Sequence, residues 1–259
     1  MTILDTIVEK KRAEILRRKR KRPLSSLSSF ESYRRTANTL KLAESGRKPG
    51  IIAEFKRKSP SRGFIHPDAE AVKVASAYEK AGAAAMSILT DQEFFGGSLG
   101  DLKEVREACP ELVLLRKDFI LDPYQLHEAS AYGADMVLLI ASILEPREVE
   151  ELALEAVSLG LHVLFEVHHQ RELEKYHEQI GFVGVNNRDL KTFRVDTGRS
   201  LELIASMPPG VVPVSESGLS HPEEVRKLNR AGYKLFLMGE QFMKDRDPGE
   251  ACRRFISLL

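Results

Sequence analysis

The chain has 259 residues, is 42% hydrophobic and carries a net charge of +1, which fits one large globular domain of the size typical for an α/β barrel. No apolar run approaches the roughly 20 residues of a transmembrane helix, and the N-terminus alternates apolar with charged residues, so we expect neither a membrane span nor a secretion signal. Cys109 and Cys252 lie far apart without metal-ligand spacing, which indicates reduced thiols and, by default, a cytosolic protein.

Residues 1–48 precede the first apolar strand and are predicted to form a helical extension. Its densest basic run is Arg17–Arg22, and such a run could attract nucleic acid. The whole chain is nearly neutral, however, and no aromatic residues interleave the run. We therefore interpret it as the solvated end of an amphipathic helix and expect no nucleic-acid partner.

The first strand carries charges where a buried strand should not. It belongs to the segment IIAEFKRKSPSRG, Ile51–Gly63. Because strand side chains alternate faces, Glu54 and Lys56 point the same way and Phe55 points to the opposite side. Buried charges are costly unless they are paired or used. A carboxylate and an ammonium at the end of this strand therefore predict an active site.

From here short apolar runs alternate with longer amphipathic segments. The predicted strands are Ile51–Lys56, Ala84–Thr90, Leu112–Lys117, Asp135–Ile140, Leu161–Val167, Gly181–Asn187, Val211–Glu216 and Lys234–Gly239. The predicted helices are Asp68–Ala81, Ser98–Ala108, Pro123–Tyr132, Pro146–Leu159, Gln170–His177, Thr197–Ala205, Pro222–Ala231 and Pro248–Leu258. Several of them begin near a proline and several are followed by a glycine, as helix ends commonly are.

Eight strands, each followed by a helix, favour a closed parallel (β/α)8 barrel, the TIM barrel. An open doubly wound sheet is the competing architecture. It would usually show a G-x-G-x-x-G loop after its first strand, and SPSRG does not match that pattern. We predict a single (β/α)8 barrel domain over residues 1–259, with residues 1–48 as the N-terminal helical extension that covers one end of it.

Function in such barrels gathers at the C-terminal ends of the strands. Strand alternation places a set of polar side chains in the inward phase, where they can converge on one axis. This set is Glu54, Lys56, Lys117, Glu166, Asn186 and Glu216. Leu138 and Ile140 share the inward phase and are predicted to form an apolar wall. Two lysines and three carboxylates at one mouth exceed what packing requires.

A phosphate site is predicted at the last two strands. Ser217-Gly218 follows the seventh strand, and Gly239 ends the eighth ahead of a further helix. The loops after strands 7 and 8 and a helix N-terminus form the usual phosphate cradle of this architecture. The carboxylate of Glu240 would have to turn away from a phosphate there.

Two other features bear on metal binding and on the cover of the ligand. His168-His169 follows the fifth strand, but adjacent histidines on an extended segment point apart and no third ligand is spaced beside them, so we expect no metal. The loop Thr90–Ser98 carries two aromatic residues on the active face. These could cover a planar ligand.

The chain resembles the indole-3-glycerol phosphate synthase family of the tryptophan pathway over nearly its whole length. The motifs that carry the resemblance are IIAEFKRKSPS, LTDQEFFGGS, LRKDFILDPYQLHEA, GADMVLLI, LFEVH, GVNNRDLKTF, VSESGL and LFLMGEQFM. The N-terminal extension is also similar to that family's, where it helps cover the substrate. The resemblance implies that 1-(2-carboxyphenylamino)-1-deoxyribulose 5-phosphate is closed, decarboxylated and dehydrated to indole-3-glycerol phosphate, with neither metal nor organic cofactor.

The resemblance also implies roles for the charged residues. Lys117 is expected to be the general acid at the carbonyl oxygen, with a pKa lowered by burial and by neighbouring cations. Glu166 is expected to be the general base for the later proton loss, so that kcat is bell-shaped with pH. Lys56 would contact the substrate carboxylate or phosphate and lower the pKa of Lys117.

Three further polar residues would support them. Glu54 and Asn186 are expected to hold hydroxyls or the amine and to orient the lysines, and Glu216 completes the network.

The remaining implied contacts bind the two ends of the substrate. The phosphate is expected to meet Lys56, Ser217, Gly218 and Gly239, with Arg188 as its charge partner and Glu240 contributing only backbone. Ser59 is a further binding candidate. The ring is expected to lie among Phe95, Phe119, Leu138, Ile140 and Leu190.

Two other readings of the residues stay open. One is another phosphosugar barrel enzyme, such as phosphoribosylanthranilate isomerase, although that isomerase would not need two lysines and the aromatic loop. The other is a non-catalytic barrel that binds a ligand. As partners we expect a small phosphorylated substrate and no membrane. We expect a monomer, and association with other tryptophan-pathway enzymes is left open.

Overall fold

Eight parallel strands close into a barrel in the structure, a computed structural model that describes residues 2–38, 40, 48–189 and 194–259. The strands are β1 Gly50–Phe55, β2 Ala85–Leu89, β3 Leu114–Lys117, β4 Met136–Ile140, β5 His162–Val167, β6 Phe182–Asn186, β7 Val212–Glu216 and β8 Leu235–Met238. Each strand pairs with its neighbours along the chain, and β1 closes the ring by pairing with both β2 and β8. The (β/α)8 prediction is confirmed, and the predicted strand ends differ from the observed ones by at most two residues.

Helices surround the barrel. The longer ones are Ile3–Lys21, Ala71–Lys80, Leu99–Ala108, Pro123–Ala131, Pro146–Ser158, Gly198–Leu203, Pro222–Ala231 and Pro248–Ser257. Short helices are Leu24–Leu27, Gln92–Phe95 and Glu240–Met243, and the 3₁₀ helices are Ala141–Ile143, Gln170–Lys175 and Ile204–Ser206. A two-stranded antiparallel hairpin, Lys58–Ser59 with Gly63–Phe64, follows β1.

Two predicted helices differ from the observed ones in helix type, and the helix predicted from Asp68 begins only at Ala71. The helix predicted over Gln170–His177 is the 3₁₀ helix Gln170–Lys175, and the one predicted over Thr197–Ala205 divides into the α-helix Gly198–Leu203 and the 3₁₀ helix Ile204–Ser206. Both segments are short, so their hydrophobic pattern does not separate a 3.6-residue period from a 3-residue period.

The alternation of β1 is as the sequence predicts. The side chain of Phe55 is buried between the strands and the outer helices, in the same apolar cluster as Tyr78. The side chain of Ile52 points to the opposite face of the strand from Phe55 and belongs to the apolar cluster that fills the barrel interior. Glu54 is buried and lines the mouth of the barrel.

The N-terminal helix, Ile3–Lys21, begins at the mouth of the barrel and lies along helix Pro123–Ala131. Near its end, Arg18 contacts Glu128 at 3.3 Å and Lys19 contacts Asp122 at 2.7 Å. The prediction of a solvated helix end is therefore wrong for part of Arg17–Arg22, because these cations dock the extension onto the barrel. Among the described residues, no helix combines the length and apolar composition that crossing a bilayer requires.

Asp135 anchors the other end of the extension, at the N-terminal end of β4. Its carboxylate accepts the backbone N–H groups of Asn38 and Leu114, each at 2.7 Å, and it pairs with Arg35 and Arg106. The described part of the extension thus touches the barrel at both ends of the strands.

Candidate active site

The C-terminal ends of the strands surround a cavity of about 600 Å³. Most of the predicted site residues line it: Glu54, Lys56, Ser59, Phe95, Lys117, Phe119, Leu138, Ile140, Glu166, Asn186, Arg188, Ser217, Gly218, Gly239 and Glu240. Glu216 is fully buried behind Lys117 and does not line the cavity itself. Leu190 lies outside the described residues. Most of the residues predicted from the sequence therefore lie around a single cavity.

Lys117 lies at the centre of a ring of carboxylates. Its Nζ is 2.9 Å from Glu216 Oε2, 3.8 Å from Glu166 Oε2 and 3.9 Å from Glu54 Oε2. These four residues come from β1, β3, β5 and β7. In a (β/α)8 barrel, alternate strands contribute the four side chains of one interior layer. The site is thus the uppermost layer of the barrel, built from charges instead of aliphatic side chains.

The surroundings of Lys117 correct one expectation. Burial acts to lower the pKa of Lys117, but attraction to Glu216, Glu166 and Glu54 outweighs it and raises the pKa above the usual value. The sequence analysis expected neighbouring cations, including Lys56, to lower this pKa. Lys56 instead pairs with Glu54. Lys117 is therefore an ammonium throughout the neutral range.

The carboxylates of the layer divide into two electrostatic types. Burial, together with the charge of Glu166, raises the pKa of Glu216 to about 7 in spite of Lys117. For Glu54, burial acts in the same direction, but the charges of Lys56 and Lys117 prevail and lower its pKa. The cluster can therefore hold one labile proton near neutral pH, on Glu216, while Glu54 stays ionised.

Two glycines leave room for these carboxylates. A Cβ on Gly184 of β6 would collide with Glu216 Oε1, and a Cβ on Gly239 would lie 2.7 Å from the Cβ of Glu54. Sequence reasoning missed Gly184, although a glycine inside a strand is a signal that another group approaches closely. It assigned Gly239 only to the phosphate.

Ser217 and Gly218, in the loop after β7, line the cavity beside Arg188 of the β6 loop. Ser217 and Gly218 have successive positive φ angles of 67° and 75°, and a side chain on Gly218 would collide with Val195. Successive N–H groups in turn conformations of this kind form anion-binding concavities. Asn186 Oδ1 accepts the N–H of Arg188 at 3.0 Å and so fixes the start of the β6 loop.

The carboxylate of Glu240, which was expected to turn away from a phosphate, faces two arginines. Its Oε1 is 2.8 Å from an Nη atom of Arg62, and its Oε2 is 3.5 Å from Nη2 of Arg188. Arg62, on the hairpin after β1, was absent from the predicted site residues. A charged residue in a turn after a strand carries no local signal of what it reaches.

The opposite side of the cavity is apolar. The rings of Phe95 and Phe119 lie 6.0 Å apart, and Leu138 and Ile140 extend the wall from β4. The N-terminal helix adds aliphatic side chains that sequence reasoning did not single out, Ile3, Leu4 and Ile7. The helix thus forms part of the wall.

The neighbouring histidines after β5 do point apart: His168 is buried and His169 is exposed. Within the described part of the chain, no group of three His, Cys, Asp or Glu side chains is arranged to hold a metal. The arrangement as a whole offers an ammonium for proton donation, carboxylates for proton removal, an anion site and an aromatic wall.

Comparison with known proteins gives consistent similarities. The family model for indole-3-glycerol phosphate synthase matches residues 4–255. The indole-3-glycerol phosphate synthase of Bacteroides thetaiotaomicron is 43% identical over 257 residues, covering 99% of this chain and 98% of the relative. That of Salinibacter ruber is 44% identical over 257 residues, with 98% and 95% covered.

Among solved structures, two resemble the chain in fold alone. A mandelate oxidase variant with (S)-mandelic acid has a TM-score of 0.63 at 15% identity, covering 81% of this chain and 70% of that one. A chain of the tryptophan synthase complex of Pyrococcus furiosus has a TM-score of 0.62 at 15% identity, covering 82% and 97%.

Proposed function

The chain belongs to the indole-3-glycerol phosphate synthase family, and from that premise we propose how its residues divide the reaction. The enzyme is a carboxy-lyase of tryptophan biosynthesis. It converts 1-(2-carboxyphenylamino)-1-deoxyribulose 5-phosphate to indole-3-glycerol phosphate by ring closure, decarboxylation and dehydration. The residue roles below are our assignments.

The cavity has two chemically different ends, and these orient the substrate. The aromatic ring lies against Phe95, Phe119 and the β4 wall, where it loses water contact. The phosphate binds at the N–H groups of Ser217-Gly218, with Gly239 and the positive charge of Arg188 beside it. Lys56 then lies between the two ends and meets the substrate carboxylate or phosphate. This orientation places the ketone over the charged layer.

Lys117 protonates the ketone oxygen as the aromatic carbon attacks. As a charged donor at the carbonyl oxygen, it also stabilises the negative charge that develops there. The ring then regains aromaticity as carbon dioxide leaves. The former ketone oxygen departs as water, while Glu166 removes the proton that the new double bond releases. Because the leaving oxygen collects two protons and only one is released, each turnover takes up one proton from solvent.

Glu216 fits the role of proton supply to Lys117. It is bonded to the Lys117 ammonium at 2.9 Å, and its pKa of about 7 lets it carry a proton near neutral pH. After Lys117 has given its proton to the substrate, Glu216 can return one. Glu54 has the opposite character, since it stays ionised and holds Lys56 in place.

We assign the enzyme to the cytoplasm as a monomer that acts on a small phosphorylated substrate, without nucleic acid or membrane partners. Its place in a biosynthetic pathway and the two buried free cysteines support this assignment. Association with other enzymes of the pathway stays an open part of the proposal.

The observation that carries the role assignments is the position of Lys117 within reach of three buried carboxylates at the cavity floor. The test is to supply the carboxyphenylamino substrate and follow indole fluorescence. We expect Lys117→Met to lower kcat by about 10³-fold or more, while Lys103→Met, on an outer helix, leaves kcat unchanged. A folded wild-type protein that binds the substrate without turnover would instead indicate a binding module. Conversion of phosphoribosylanthranilate alone would indicate the isomerase.

A further inference from the structure

His168 is a buried imidazole that the reaction described above does not use. It lies just beyond β5, two residues after Glu166, and only 5% of its surface is exposed. Neither of its ring nitrogens has a hydrogen-bond partner among the described residues. A buried polar group left without a partner costs about 1–3 kcal/mol, so such groups in native proteins call for an explanation.

The ring lies between two carboxylates. Its Nε2 is 3.7 Å from Glu166 Oε1, and its Nδ1 is 3.8 Å from Glu172 Oε2. Other charged groups that act on it are Glu216 on β7, Arg199 on the helix after β6, and Asp189 in the β6 loop. Burial lowers the pKa of His168, and the opposing attraction of Glu172 does not reverse this. The imidazole is therefore neutral near pH 7, with one N–H donor and one acceptor nitrogen.

A neutral imidazole can donate one N–H hydrogen bond, and the neighbouring residues favour Glu166 as its acceptor. Glu172 Oε2 already accepts the backbone N–H groups of His168 at 2.6 Å and His169 at 3.2 Å. These bonds fix the turn in which the ring stands. In Glu166, Oε2 is the atom that faces Lys117, and Oε1 is the atom that faces the ring. Lys117 and His168 thus approach different oxygens of one carboxylate.

We propose that His168 is a positioning residue for Glu166, which it holds by donating its Nε2–H to Oε1. The distance of 3.7 Å has to shorten by less than 1 Å to reach a normal hydrogen bond. Bonds of this kind are often long in a ligand-free site and tighten when the substrate binds. With one oxygen fixed by His168, Glu166 keeps its other oxygen toward Lys117 and the reacting carbon. The inference rests on the role of Glu166 as the base.

Three substitutions separate this role from simple packing. His168→Leu keeps most of the volume and removes the N–H. His168→Gln places an amide N–H near the position of Nε2, and His168→Asn, the matched control, places one near Nδ1. A hydrogen bond to a charged group contributes about 1.5–3 kcal/mol. We therefore expect kcat to fall by about 10- to 100-fold in the Leu and Asn variants with KM within about twofold, and to recover largely in the Gln variant.

A second measurement does not depend on turnover. In the ¹⁵N NMR spectrum of the wild-type protein, we expect the His168 ring to carry its proton on Nε2, and we expect this signal to shift in the Glu166→Gln variant. The proposal would be overturned if the His168 proton is on Nδ1, or if the His168 signal does not shift in Glu166→Gln. It would also be overturned if folded His168→Gln and His168→Asn variants have equal kcat. Near-normal kcat in His168→Leu would do the same. Near-normal kcat in Glu166→Gln would overturn the assignment of the base instead.

Discussion

Lys117 on β3 pairs across the barrel axis with Glu216 on β7, the strand directly opposite in the ring of eight, with 2.9 Å between Nζ and Oε2. This pair, with Glu54 and Glu166 beside it, replaces the aliphatic layer that would otherwise close the top of the barrel. The charges that carry out the reaction are therefore also part of the core, and they affect the free energy of unfolding as well as the rate.

Glu216 should make the protein less stable as the pH rises. Its pKa is about 7 in the folded protein and near 4.3 in an unfolded chain. Between these values the folded state binds more protons, so raising the pH destabilises it. We expect the free energy of unfolding of Glu216→Gln, relative to that of wild type, to rise by about 2 kcal/mol between pH 5 and pH 8. Urea titrations at the two pH values measure this.

Glu54 serves as the control, because its effect on the free energy of unfolding should change with pH in the opposite direction to that of Glu216. Its pKa is lowered in the folded protein, so its ionised form stabilises the fold above the unfolded pKa, and that contribution is lost as the pH falls. Glu54→Gln should therefore be less stable than wild type at pH 8. If the stabilities of both variants, each relative to wild type, change in the same direction between pH 5 and pH 8, then the assignment of a raised pKa to Glu216 and a lowered pKa to Glu54 is wrong.

A methyl group at position 184 should lower kcat by displacing Glu216. In Gly184→Ala the new Cβ collides with Glu216 Oε1, so that Glu216 moves away from Lys117. Small displacements of reacting groups can cost about 10²-fold in rate, and overpacking costs about 1–3 kcal/mol. We expect kcat to fall by about 10²-fold, measured by indole fluorescence. Gly181→Ala, just before the same strand and with open space around its Cβ, should leave kcat unchanged. Equal kcat in the two variants would refute the explanation.

Removing the charge of Glu240 should improve substrate binding. Glu240 contacts Arg62 and Arg188, and its negative charge opposes a phosphate placed beside Arg188. These pairs are partly exposed, so their effect is modest, about 0.5–1 kcal/mol. We expect Glu240→Gln to lower KM about two- to fivefold with kcat unchanged, and Arg188→Ala to raise KM. Glu250→Gln, on the outer helix Pro248–Ser257, serves as the control. A higher KM in Glu240→Gln would place the phosphate elsewhere.

Neighbouring lysines of the N-terminal helix should differ sharply in their contribution to stability. Lys11 is 2% exposed and lies 2.8 Å from Asp91 and 2.9 Å from Asp118, whereas Lys10 is about half exposed and pairs with Glu93. Removing one partner of a buried ion pair costs about 3–5 kcal/mol, and an exposed pair contributes under about 1 kcal/mol. We expect Lys11→Met to lose about 3 kcal/mol or more in urea unfolding and Lys10→Met to lose little. Similar losses would show that the buried ions do not hold the extension.

What the sequence predicts well is what depends on local periodicity. The inward phase of each strand follows from alternation within five or six residues, and the strand order follows from the βα repeat. Together these identified Glu54, Lys117, Glu166 and Glu216 as one group, because alternate strands of a closed barrel must share layers.

What the sequence does not predict is side-chain reach between distant elements. The pairing of Lys11 with Asp118 joins the N-terminal helix to the loop after β3, and the pairing of Arg62 with Glu240 joins the loop after β1 to the segment after β8. The expected sign of the Lys117 pKa shift was wrong for the same reason. The sign depends on which charged groups lie within about 4 Å of Lys117 Nζ. Knowing which residue types surround the cavity does not give those distances. Leu190, predicted to line the ring pocket, stays a prediction.

In the described part of the extension, Lys11, Arg18, Lys19 and Asn38 contact the barrel through residues that come later in the chain, between Asp91 and Asp135, and many of these are about 100 residues away. During synthesis at about 5–20 residues per second, the helix Ile3–Lys21 therefore waits roughly 5 to 20 s for the residues that receive it. The helix is therefore synthesised well before the residues that it docks against. Its charged outer face, with Arg17, Arg20 and Lys21 in solvent, suits a segment that must stay unaggregated during that interval.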